Sequence, residues 1–165
     1  MVEALAAARI GDTFNQYRDP RLADRLARYL DDRADVPLLL VGEAAGYRGA
    51  RVSGIPFTSE RQLTGTGPAE ATATIVHRVL AELGLEEQTL LWNVVPTHPG
   101  TVSTNRPPTK LEVAAGVPYA VGLGHGRSVI AVGRLAAEAL GAPYVRHPSH
   151  GGAAAFRETL RACLT

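Results

Sequence analysis

Cysteine is all but absent from this chain: Cys163 is the only one among 165 residues. An intramolecular disulfide is therefore impossible, and so is a metal or iron–sulfur centre held by four thiolates. Histidine is sparse as well. Of five, only His147 and His150 lie close together, and with no third ligand beside them no zinc site is expected. The apolar runs are strand-sized and interrupted by charge, so none is long enough to span a membrane. The N-terminus also lacks the basic segment followed by an apolar core that a secretory signal requires. A cytosolic monomer without membrane contact, cofactor or metal is the expectation. Excess positive charge is missing too. At a formal charge of +1, bulk attraction to a polyanion is negligible, and affinity for nucleic acid has to come from a local patch.

Several chemical signatures are also lacking. Gly42 to Gly46 is not a Gly-rich, Lys-bearing phosphate loop, and Gly122-Leu123-Gly124-His125-Gly126 precedes a strand instead of following one, which argues against a dinucleotide fingerprint. Ser53, Ser59 and Ser128 sit in no nucleophile-elbow pattern.

What is present is a hydrophobic content of 45%, enough to build one core, so residues 1–165 are expected to form a single domain. Residues 20–33 carry Leu22, Leu26, Tyr29 and Leu30 at helical spacing behind the capping Asp19. Residues 68–83 repeat that pattern, with Pro68 in the first turn and Gly84 at the exit. Thr109-Lys110-Leu111-Glu112 is a capping box opening a third helix, which Gly116 and Pro118 are expected to shorten or kink. Helices over 135–140 and 152–164 complete the set. Strands near 38–41, 89–95, 128–132 and 143–146 alternate with these helices. That alternation predicts an α/β fold of three layers, α/β/α, around a central, mostly parallel four-stranded sheet.

Ligands of such sheets bind beyond the carboxyl ends of the strands, and three strand ends here carry polar groups. Leu38-Leu39-Leu40-Val41 breaks into Gly42-Glu43-Ala44-Ala45-Gly46-Tyr47, where two glycines let the backbone turn and approach a ligand closely. The buried run Leu90-Leu91-Trp92-Asn93-Val94-Val95 interrupts itself with one amide, and Pro143-Tyr144-Val145 empties into Arg146-His147-Pro148-Ser149. Glu43, Asn93 and His147 are thus offered at one edge.

In this order the three segments resemble the motifs of the uracil-DNA glycosylase superfamily. Gly42-Glu43-Ala44-Ala45-Gly46 looks most like the Gly-Glu-Ala-Pro-Gly form of the thermophile-type family 4 enzymes, and His147-Pro148-Ser149 looks like the second motif. Gly54-Ile55-Pro56-Phe57 is similar to the segment bringing a base-stacking Phe, and Leu91-Trp92-Asn93-Val94-Val95 to the strand with the uracil-reading Asn. Residues 129–141 are similar to the strand and helix before the second motif. The chain departs from family 4 in lacking the cysteines of its iron–sulfur cluster.

The resemblance implies a monofunctional enzyme of DNA repair that flips uracil out of single- or double-stranded DNA and hydrolyses its N-glycosidic bond. No motif holds a lysine for Schiff-base chemistry. His147 would donate to uracil O2 as charge accumulates there. Asn93 would donate to O4 and accept from N3–H, a pattern cytosine cannot match. Phe57 would stack on the base, Tyr47 would reject the thymine methyl, and Gly42, Ala44 and Gly46 would line the pocket. An Asp that orients water in the best-known branch is replaced by Ala44, which leaves Glu43 either to position water or to brace the loop through its amides. Ser149, His150, Arg48, Arg51, Arg106 and Arg146 are candidates for the DNA backbone, together with the amides of Gly151 and Gly152. No bulky residue follows His-Pro-Ser to fill the gap left by a flipped base, so Arg106-Pro107-Pro108 is the candidate wedge. Two alternatives stand beside this reading: a module that binds uracil or abasic DNA without turnover, and a glycosylase for another deaminated base such as hypoxanthine.

Overall fold

The structure is a computed structural model that describes residues 1–164. In chain order it contains α1 (Val2–Ala7), α2 (Pro20–Asp32), β1 (Leu38–Ala44), α3 (Ala50–Ser53), α4 (Glu60–Thr64), α5 (Ala71–Glu82), β2 (Thr89–Val95), α6 (Lys110–Gly124), β3 (Ser128–Val132), α7 (Arg134–Leu140), β4 (Tyr144–Val145) and α8 (Ala153–Cys163). The strands pair in the order β2-β1-β3-β4, every pair parallel. β-branched and leucine-rich runs buried on both faces are what such a sheet requires. β2 is buried along its whole length, and β1 opens only at its last two residues, Glu43 and Ala44.

Side-chain alternation sorts the core into two layers. Leu39, Val41, Leu90, Trp92, Val94 and Ala131 face a layer built from α1, α2, α6 and α7, while Leu40, Leu91, Ile130, Val132 and Val145 face α5 and α8. No helix of the described residues is long and apolar enough to cross a membrane.

Two helix boundaries differ from the sequence pattern. α5 begins at Ala71 and not at Pro68, because the Pro68 carbonyl instead accepts from Arg61 N–H and closes the loop after α4. α6 runs unbroken over 15 residues through Gly116 and Pro118. Its capping box forms as expected, and Gly116 strengthens the packing instead of ending the helix: a Cβ there would collide with the Val94 carbonyl, so only glycine lets α6 lie directly on β2.

Candidate active site

The register of the sheet builds the floor of the site. Gly42 and Asn93 are direct partners across β1 and β2, and the bare Cα of Gly42 leaves the space that the Phe57 ring fills; a Cβ there would strike the ring. Phe57 is 7% exposed and holds a left-handed backbone at φ 53°, costly for a non-glycine residue and found mostly where a loop is over-determined at a functional site. Ser53 supplies that determination, its hydroxyl donating to the Thr58 carbonyl at 2.6 Å and accepting from Ile55 N–H at 3.0 Å. The ring and the Asn93 amide therefore meet at the bottom of a cleft of about 780 Å³. Asn93 is 4% exposed, yet its side chain has no hydrogen-bond partner among the described residues. The amide opens onto the cleft with both its donor and its acceptor uncommitted, so the arrangement suits a ligand that supplies both an acceptor and a donor.

β4 delivers the opposite wall. In His147 the Nδ1 atom accepts from Ser149 N–H at 3.2 Å and lies 2.8 Å from Ser149 Oγ. Because a backbone N–H can only donate, Nδ1 is unprotonated and the proton of the neutral ring sits on Nε2. Burial, with Arg146 and His150 adding to it, pushes the His147 pKa down and favours this neutral form. The ring thus presents one N–H donor on the side away from Ser149. Arg146 lines the same cleft, with its Nη1 on the His147 carbonyl at 3.0 Å, and Arg134 joins them from the start of α7.

Two carboxylates line the cleft. Glu43, half-buried at the end of β1, accepts no hydrogen bond among the described residues, and burial raises its pKa. It does not brace the loop through amides. Glu70 precedes α5 without capping it, and its carboxylate lies over the bare Cα atoms of Gly46 and Gly49, where a Cβ on either would collide with it. Burial raises its pKa as well.

A model of the family described as the uracil DNA glycosylase superfamily matches residues 29–161. The chain belongs to the uracil DNA glycosylase superfamily. That membership makes it a DNA glycosylase, an enzyme of base excision repair whose partner is DNA. Among solved structures, wild-type SMUG2 from Pedobacter heparinus superposes with a TM-score of 0.70 at 12% identity, over 99% of this chain and 93% of that one. No curated protein sequence matches.

Of the residues singled out by sequence, Glu43, Ala44, Gly46, Phe57, Asn93, Arg106, Arg146, His147, Ser149 and His150 line the glycosylase's cleft, and Gly42 backs it beneath Phe57. Tyr47 does not line it. That side chain turns away to stack against Arg48, 5.3 Å from the guanidinium carbon, while the space beside Gly46 holds Glu70. Arg106 is not free for DNA, nor is it a wedge. Its guanidinium grips the carboxylate of Glu112 at 2.6 and 2.8 Å, locking the loop after β2 to the start of α6 and holding the Glu112 carboxyl down at about 2. The Gly152 N–H is spent on the Ser149 carbonyl, so it offers no anion site. Arg48 and Arg51 lie outside the cleft.

Glu70 and Asn105, which line the site, were not found by sequence reasoning. Asn105 accepts from Tyr47 N–H at 2.9 Å and ties the loop after β2 to the first motif. Glu70 precedes an ordinary amphipathic helix, and nothing in its own segment signals that two distant glycines make room for it. The iron–sulfur cluster of the family 4 branch does not fit this glycosylase. Cys163 is exposed at the end of α8, and among the described residues no three His, Cys, Asp or Glu side chains gather to hold a metal.

Proposed function

We propose that this glycosylase excises uracil from DNA by hydrolysis, leaving an abasic site without cutting the strand. The observation that carries the reading is the unpaired Asn93 amide beside the Phe57 ring: uracil stacked on that ring gives Asn93 an acceptor in O4 and a donor in N3–H. His147 Nε2–H donates to O2 as the base departs as an anion, the kind of preorganised donor worth about 3–4 kcal/mol in comparable sites. Glu43 faces the sugar and steers water or stabilises the oxocarbenium-like centre. Arg134, Arg146, Ser149 and His150 meet the flanking phosphates.

The test is a single-turnover assay on uracil-containing single-stranded and duplex oligonucleotides with excess chelator. Abasic product should form, and the strand should break only after alkali. Binding of uracil-DNA with no release of base would instead favour a non-hydrolytic module, the reading that Ala44 motivates by standing where an acid is used elsewhere. Faster release of hypoxanthine than of uracil would move the specificity to that base.

Glu70 takes the place in this scheme that Tyr47 was expected to fill. Packed over Gly46, its carboxylate forms the wall against the C5 edge of the base, where thymine carries its methyl. Removing one methyl's worth of exclusion is worth about 10–200-fold, so Glu70→Ala should raise the thymine-to-uracil excision ratio at least about tenfold. An unchanged ratio on matched oligonucleotides would remove Glu70 from the wall.

A further inference from the structure

Beside the cleft lies a second groove of about 590 Å³ between the segment before α2 and the helix α3. Phe14 stands in it 50% exposed. Its backbone is held firmly. Its backbone N–H and C=O both pair with His98, at 2.9 Å each, and the His98 ring reaches the Ala45 carbonyl at 2.7 Å, so Phe14 is fixed to the first-motif loop. The Arg51 guanidinium carbon sits 4.8 Å from the centre of the Phe14 ring. Among the described residues the side chains of Arg51, Arg18 and Arg48 make no hydrogen bond or ion pair. The groove's one carboxylate, Asp19, is held by Arg21. Gln16 lines the groove too, with its Nε2 donating to the Pro96 carbonyl and its Oε1 buried without a partner. The groove adjoins the cleft, because Ala50 lines the cleft while its neighbours Arg51 and Val52 line the groove.

A half-exposed aromatic ring on a fixed backbone, beside cations that have no protein counter-ion, fits a nucleotide: every base has a face to stack, and its phosphate needs a positive partner. A base paired in a duplex has both faces covered by its neighbours, so only an unpaired one can use the ring. We infer that this groove seats an unpaired nucleotide of the strand adjoining the one being processed, its base stacked on Phe14 and its phosphate at Arg51 and Arg18. The preferred substrate is then single-stranded DNA, in keeping with the lack of a bulky residue after His147-Pro148-Ser149. The inference rests on DNA as the partner and not on uracil as the excised base.

Fluorescence anisotropy with a uracil-free single-stranded oligonucleotide and its duplex tests it on the full chain. Phe14→Ala should weaken single-strand binding about tenfold or more and change duplex binding less than about twofold, whereas Phe14→Trp should retain single-strand affinity. Arg51→Gln should flatten the salt dependence of single-strand affinity by about one unit. Equal Kd values for Phe14→Ala and the parental chain, or equal losses on both forms of DNA, would overturn the groove. Excision measured alongside separates the two claims: a parental chain that binds through Phe14 but releases no uracil refutes the proposed reaction and leaves the groove standing.

Discussion

Asn93→Asp should abolish uracil excision. The substitution keeps size and shape but turns the donor facing uracil O4 into an acceptor, and at neutral pH it places a charge where Asn93 is 4% exposed. Two acceptors then oppose each other in a water-poor pocket, with neither able to turn toward solvent. An unmatched buried polar group costs about 1–3 kcal/mol, more when charged, and two such groups together should lower the single-turnover rate on uracil by roughly three orders of magnitude. Cytosine offers an N4 donor at the same point, so weak release of cytosine from a mismatch is the expected gain. Asn93→Ala should lose uracil activity without acquiring any for cytosine. If both variants excise uracil near the parental rate, Asn93 is not the reader and the orientation of the base in the cleft is wrong.

The second large effect belongs to Glu43. Glu43→Gln preserves volume and removes charge, and because the carboxylate braces no loop amide the fold should be untouched. General-base assistance is worth about 10²–10⁴-fold, so single-turnover excision should fall at least about a hundredfold while uracil-DNA still binds. The pH profile carries independent information. Burial raises the Glu43 pKa, so its working, ionised form is lost as pH falls through a value above the ordinary carboxylate range. The parental rate should decline there, and in Glu43→Gln that acid limb should vanish. A limb that persists in the variant transfers the titration to another cleft group, either Glu70, whose pKa burial raises, or His147, whose pKa burial lowers. A rate within a few-fold of the parental one would leave His147 and the substrate's own phosphates to stabilise both charges.

Much of this was legible in the chain. The runs Leu38–Val41 and Leu90–Val95 have no polar face, and residues of that kind can be satisfied only inside a parallel sheet covered on both sides. The order of motifs alone puts Glu43, Asn93 and His147 at one edge, because in such a sheet every strand's carboxyl end points the same way. Local signals also held where they depend on nearby atoms: Asp19 caps α2, and Thr109 and Glu112 form their capping box.

Where the sequence misled, the deciding partner was distant. Gly116 and Pro118 suggest a shortened or kinked helix, but the environment of Gly116 is the Val94 backbone on β2. Arg106 looked like a DNA contact until α6 brought Glu112 against it, and Tyr47 looked like a pocket wall until its ring turned to Arg48.

The sequence by itself determined the sheet, its covering helices and the identity of the groups at its edge, since apolar periodicity and strand direction are properties of neighbouring residues. Only the tertiary structure decided which groups are free to act. A charge or amide is available when no other part of the chain has paired with it, and pairings such as Arg106 with Glu112, the contact of Glu70 with Gly46, and the unpaired state of Asn93 arise between residues that only folding brings together.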